Sequence, residues 1–199
     1  MTNQLLKLGH IPPSEDSSGF NAVIFTDAEG LDWSIGTGFS INSDGDILTA
    51  KHVINNADVV IVALKDGNVK RVDNIIVTDY SDVALLKVNS GLPPVKFIEN
   101  GVSDLGTDIG FIGFPLGPNT RTSTKGSISA VIPYRYEGDN SDTIVYIINS
   151  FVNKGNSGGP VFSLKTGEVV GIMNALSEEM NGIAISTALN KNALSPVIY

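Results

Sequence analysis

Short apolar runs broken at close intervals by turn clusters set the pattern of this chain. Residues 21–26 form a strand candidate, closed by a turn cluster at 27–30. Residues 33–41 are β-rich although glycine interrupts them. Asn42-Ser43-Asp44-Gly45-Asp46 is a strong turn signal between them and Ile47-Leu48-Thr49-Ala50, so the two stretches read as a hairpin. Lys51-His52-Val53-Ile54 reads as a helical turn, stopped at Asn55-Asn56. Strands follow at 57–64, at 69–79 after the turn Asp66-Gly67-Asn68, and at 81–88, which opens polar and runs into the core. Strands this short and this closely spaced predict an antiparallel barrel or sandwich rather than βαβ units.

Residues 89–104, with Gly91, Pro93-Pro94 and Gly101, read as a connection between two halves. Beyond it the same style returns. Strands are predicted at 108–114, broken by Pro115-Leu116-Gly117-Pro118, then at 123–132 and 143–150. Two more, 161–163 and 168–174, flank the Thr166-Gly167 turn, and the last spans 182–185. Ser186 is placed to cap a short terminal helix over 187–194, ended by Pro196. Two β-barrels and a final helix are the simplest packing: a polar arm at 1–19, a first barrel at 20–95, and a second barrel with the helix at 96–199.

Composition narrows the function. Hydrophobic residues make up 42% of the 199, enough for a core, and 21 glycines with 9 prolines suit many turns. A net charge of −8 argues against binding nucleic acid by phosphate neutralisation. With 0 cysteines, disulfides and thiolate metal sites are excluded. The first residues lack a charged segment followed by an apolar one, and no apolar run is of membrane-spanning length. That pattern predicts no membrane association and a cytoplasmic location.

The chemistry centres on Lys154-Gly155-Asn156-Ser157-Gly158-Gly159-Pro160. Glycines around a serine let the backbone take unusual φ values and let two N–H groups converge beside the hydroxyl. That is the geometry of an activated nucleophile with an oxyanion hole. By itself a Gly-Ser turn is more often only a turn. The 2 histidines sharpen the reading: His10 lies in the polar arm, which leaves His52 as the general base able to titrate near neutral pH in an ordered region. Asp82, at the polar head of an apolar strand, is the better orienter, with Asp79 its competitor. No histidine follows Ser157, which excludes the α/β-hydrolase order. The subtilisin order would need a helix-rich chain. The order His52, Asp82, Ser157 is that of the chymotrypsin double barrel.

Together with Gly36-Thr37-Gly38-Phe39-Ser40, Leu48-Thr49-Ala50-Lys51-His52 and Ser81-Asp82-Val83-Ala84-Leu85-Leu86, this stretch resembles trypsin-like serine peptidases, and among them HtrA/Deg-type proteases. The resemblance runs over roughly residues 20–195. It implies two six-stranded antiparallel β-barrels of the chymotrypsin kind, with Ser157 as nucleophile, His52 as base and then acid, and Asp82 as orienter. The N–H groups of Gly155 and Ser157 would form the oxyanion hole. Polypeptide substrates are expected, and no metal or cofactor. HtrA-type proteins usually carry a PDZ domain after the protease, for which a chain ending at Tyr199 leaves no room.

The resemblance also places a specificity pocket. Phe151 would set its base, with Asn174, Ala175 and Leu176 along one side and Gly182 opposite. None is acidic, so the expected preference is for small or medium aliphatic side chains, with Glu178 and Glu179 close enough in sequence to supply charge. Asn156 stands where activated digestive enzymes have an aspartate that pairs with a freed amino terminus, so no zymogen cleavage is expected. Two other readings of the fold are a non-catalytic protein-binding module and a viral or host-defence protease with a single target. The oligomeric state is not legible.

Overall fold

The computed structural model describes residues 21–28, 32–64, 66–78, 81–98, 101–135, 142–176, 182–189 and 194; at 21–23, 25–28, 32–33 and 175–176 it describes the backbone alone. Thirteen strands and one helical turn are defined among them. The first group is β1 (Asn21–Ala28), β2 (Asp32–Ser40), β3 (Ile47–Thr49), α1 (Lys51–Ile54), β4 (Val59–Ala63), β5 (Val69–Arg71), β6 (Ile75–Val77) and β7 (Ala84–Leu86). These seven strands make one antiparallel sheet in the order β5-β4-β1-β2-β3-β7-β6. The hairpin expected at 33–50 is β2 paired with β3, and the helical turn at His52 is α1.

One expected strand is two. Residues 69–79 split into β5, which pairs with β4, and β6, which pairs with β7. These lie at opposite edges of the sheet, yet only Val72, Asp73 and Asn74 separate them. The Val72 N–H donates to Val60 O (2.9 Å), and Asn74 O accepts from the Lys87 N–H (3.0 Å). Three residues span both edges only where the sheet curls round on itself.

The second group closes completely: β8 (Asp108–Gly113), β9 (Thr122–Tyr134), β10 (Thr143–Asn149), β11 (Pro160–Ser163), β12 (Val169–Leu176) and β13 (Ile183–Ala188) form a barrel in the order β10-β13-β12-β11-β8-β9. The helix expected from residue 187 does not begin there. Thr187 pairs with Val145 on one side and Ile172 on the other, and Ser186 is fully buried, so strand pairing on two flanks overrides the capping signal. Leu194 is helical and buried, but residues 190–193 lie outside the described residues.

Among the described residues, alternating strands leave four apolar clusters, the smallest of them around Ile61 and Ala63. Ile24, Ile47, Val62 and Leu86 fill the first sheet, while Phe111, Tyr146, Ile148 and Met173 fill the closed barrel. The third cluster lies between them: Phe39, Leu48, Val83 and Leu85 from the first sheet meet Val169, Ile172 and Leu189 from the barrel. The two halves therefore share a dry interface, and the residues singled out for chemistry lie along it. Among the described residues no helix is long and apolar enough to cross a membrane.

Candidate active site

Four residues form one connected group at this junction. α1 brings His52 out of the first sheet, with its side chain 46% exposed, while Asp82, just ahead of β7, is 10% exposed. Asp82 grips His52 twice: the His52 backbone N–H donates to Oδ1 (2.8 Å), and Nδ1 lies 2.6 Å from Oδ2. With an acceptor carboxylate at Nδ1, the proton-bearing tautomer of neutral His52 is Nδ1–H. That leaves Nε2 with a lone pair, as a general base requires.

Asn174 is the residue whose role sequence reasoning did not see. The register of β12 against β13 shifts between Met173 and Ala175, leaving Asn174 as the extra residue of a bulge. A bulge re-aims its side chain. The Asn174 amide here turns to the carboxylate, where Nδ2 donates to Asp82 Oδ2 (2.6 Å), and Oδ1 accepts from the Thr187 N–H. The buried carboxylate of Asp82 thus has three donors, two from His52 and one from Asn174, which is how a charge is held away from water.

Ser157 joins the group through the same residue, its hydroxyl donating to the Asn174 carbonyl (2.8 Å). A hydroxyl has one proton, so in this arrangement that proton is committed to Asn174. Rotation about Cα–Cβ is what would aim it at His52, and hydrogen bonds of this kind often tighten only when substrate is bound.

The loop before Ser157 bends through Gly155 at φ +94°, where a side chain would strike the Phe114 carbonyl at 2.6 Å. Its peptides are tied one by one. Gly155 O accepts from the Thr37 hydroxyl (2.6 Å), Asn156 O from the Gly159 N–H (2.9 Å) and Ser157 O from the Thr37 N–H (2.8 Å). The Asn156 N–H donates to Asn153 O (3.1 Å). Among the described residues, neither Gly155 nor Ser157 donates its N–H to a backbone carbonyl. Two N–H groups beside a serine hydroxyl are what an oxyanion needs. Asn156 itself is buried under Gly113, and among the described residues its side-chain oxygen has no hydrogen-bond partner.

Of the expected pocket residues, Phe151 and Gly182 come together: a Cβ on Gly182 would lie 3.7 Å from the Phe151 ring. Phe151 is nonetheless 74% exposed, so it lies at the surface and not at the floor of a closed pocket. The Asn174 side chain points to Asp82 and not to Phe151, because the bulge turns it. The side chains of Ala175 and Leu176, together with His10, Asp79, Glu178 and Glu179, lie outside what the structure describes. Among the described residues no group of three His, Asp or Glu is placed to hold a metal ion.

Known proteins resemble this chain in sequence and in fold. A probable periplasmic serine endoprotease DegP-like of Ectopseudomonas mendocina is 41% identical over 154 residues, covering 75% of this chain and 31% of that protein. The putative serine protease HhoB of Synechocystis is 39% identical over 164 residues, covering 78% of this chain and 38% of that protein. The chain thus spans about a third of the length of these curated relatives. Among solved structures, the active form of a protease from M. tuberculosis matches in fold, with a TM-score of 0.75 at 24% identity over 94% of this chain and 80% of the other. The HtrA-type protease AlgW with tripeptide matches with a TM-score of 0.66 at 29% identity, over 85% of this chain and 56% of the other. The name periplasmic, carried by several relatives, overturns the cytoplasmic expectation, which rested only on the lack of a recognisable leader pattern. Residues 36–172 match the trypsin-like peptidase domain, and the chain belongs to that family.

Proposed function

We propose that this chain is a serine endopeptidase that cleaves polypeptides through an acyl-enzyme on Ser157. The observation that carries the reading is the connected group His52, Asp82, Asn174 and Ser157 at the junction of the two halves. Ser157 Oγ attacks the scissile carbonyl while His52 Nε2 takes its proton. Asp82 holds the ring and stabilises the imidazolium that forms. The N–H groups of Gly155 and Ser157 receive the oxyanion. His52 then protonates the leaving amine, and water repeats the sequence in reverse to free Ser157.

The fold reading behind this is a chymotrypsin-like double barrel, the curled seven-stranded sheet being the first barrel. The three-residue link between β5 and β6 supports it. A boundary near 95/96 is supported by Val95, whose N–H bonds Ser40 O in the first sheet, and by Phe97, which bridges to Val169 in the barrel. Phe151 and Gly182 are the proposed walls of an open, apolar specificity cleft, with Ala175 and Leu176 beside them. Asn156, neutral and already buried, supports activation without a freed amino terminus. The names of the relatives support a working location outside the cytoplasm.

The test is covalent labelling with a fluorophosphonate, which reacts with an activated serine. The unaltered chain is expected to label and Ser157→Ala is not, with casein cleavage falling by about a millionfold in the variant. A folded, unaltered chain that neither labels nor cleaves casein would instead be a binding module on the same fold.

A further inference from the structure

Thr37 ties the first sheet to the nucleophile loop more closely than any role in a triad requires. It is fully buried on β2 and makes two bonds to the loop, with two more to Phe114 and Thr49. Its N–H donates to Ser157 O (2.8 Å), and its hydroxyl donates to Gly155 O (2.6 Å). The same hydroxyl oxygen accepts from the Phe114 N–H (3.3 Å), and the Thr37 carbonyl accepts from Thr49 Oγ1 (2.8 Å). Of the four carbonyls that bracket the proposed oxyanion donors, those of Gly155 and Ser157 are therefore held by one residue of the other half of the molecule. The remaining tie on Gly155 O, from the Phe114 N–H, is long at 3.4 Å.

We infer that Thr37 is a positioning residue for the oxyanion donors, its hydroxyl setting the direction of the Gly155–Asn156 peptide; this rests on the peptidase reading above. The hydroxyl touches no reacting atom. Without it, Gly155 O loses its short donor in a buried site, and Gly155, free at positive φ, is no longer held to one orientation. The loss falls on the transition state, where negative charge gathers on the oxyanion, and hardly on ground-state binding.

The experiment compares Thr37→Val with Thr37→Ser. Valine keeps the β-branch and the N–H bond to Ser157 O but puts a methyl where Gly155 O needs a donor; serine keeps the hydroxyl. Casein kcat in Thr37→Val is expected to fall by about tenfold or more. KM should stay within about threefold, and the fluorophosphonate labelling rate should fall with kcat. Thr37→Ser should restore both rates to within about threefold of the unaltered chain. If Thr37→Val does not fold, Thr37→Ala makes the same comparison without the added bulk. A Thr37→Val enzyme with full kcat, a loss confined to KM, or a Thr37→Ser enzyme as impaired as Thr37→Val would overturn the inference while leaving the peptidase reading intact. An unaltered chain that does not label overturns both.

Discussion

The two halves of the molecule hold their chemistry in different ways. The first sheet holds His52 and Asp82 almost by itself: α1 and the lead-in to β7 lie side by side, and the carboxylate grips both the ring and the backbone of His52. The closed barrel holds Ser157 on a glycine loop whose carbonyls are fixed largely from outside, by Thr37 of the first sheet. The proposed base is thus a property of one half, and the proposed nucleophile a property of the interface. Disturbing the contact between the halves should injure the nucleophile before the base.

The strongest way to break this comparison is to attack the base where it is self-sufficient. Asp82→Asn keeps the shape but presents an amide to His52 Nδ1, which favours the wrong tautomer. A fall of about ten-thousandfold in kcat is expected, as for the corresponding change in a serine protease triad. Thermal unfolding reports whether the fold survives. A folded Asp82→Asn enzyme with near-normal turnover would show that Asp82 does not orient the base.

The next test loosens the interface. Phe39 is fully buried in the cluster shared by the two halves, and Phe39→Ala is expected to cost about 3–5 kcal/mol of stability. Under conditions where the variant is still folded, fluorophosphonate labelling should fall while the His52–Asp82 hydrogen bond, read as a downfield Nδ1 proton by NMR, persists. Loss of that proton together with labelling would mean that the base also depends on the interface.

A smaller effect is expected at Asn174, where the two halves meet through one amide. Asn174→Ala removes the third donor from the Asp82 carboxylate and the acceptor for the Thr187 N–H. A hydrogen bond to a charged group is worth about 1.5–3 kcal/mol. If about half of that is felt in the transition state, kcat falls by about four- to thirteenfold. An unchanged kcat in steady-state casein cleavage would leave Asn174 a structural residue only.

What the chain disclosed in advance divides along the same line. The strands were legible because apolar runs and Gly, Asn and Asp turns are local signals, and the scarcity of histidine and the order of the three residues were enough to single out His52, Asp82 and Ser157 as candidates. Asn174 was not, because its direction comes from a bulge that exists only in the register of β12 on β13. Thr37 was not, because the groups it holds are backbone carbonyls more than a hundred residues away, and carbonyls leave no trace in a sequence. The helix expected after Ser186 does not start at Thr187 for a similar reason: the local capping signal was sound, but two neighbouring strands claimed the same backbone. Local preference was a good guide to each half and a poor one to what passes between them.

The smallest effect separates the two cores by pH. The cluster inside the first sheet is entirely aliphatic among its described residues, whereas the closed barrel buries Tyr146, whose hydroxyl accepts from the Ser103 N–H (2.8 Å). Burial pushes the Tyr146 phenol above its usual value. The folded chain therefore keeps the proton at pH values where the unfolded chain has begun to lose it, so the stability linked to Tyr146 is full below about pH 10 and declines as pH rises toward the folded value. Tyr146→Phe removes that titration and leaves the Ser103 N–H unpaired, at a cost of about 1–3 kcal/mol near neutrality. The stability gap between the two proteins, measured by urea unfolding, should hold steady to about pH 10 and then shrink by up to about 1.4 kcal/mol per pH unit. A gap that stays constant through pH 11 would show that Tyr146 ionises as readily in the folded barrel as in the unfolded chain.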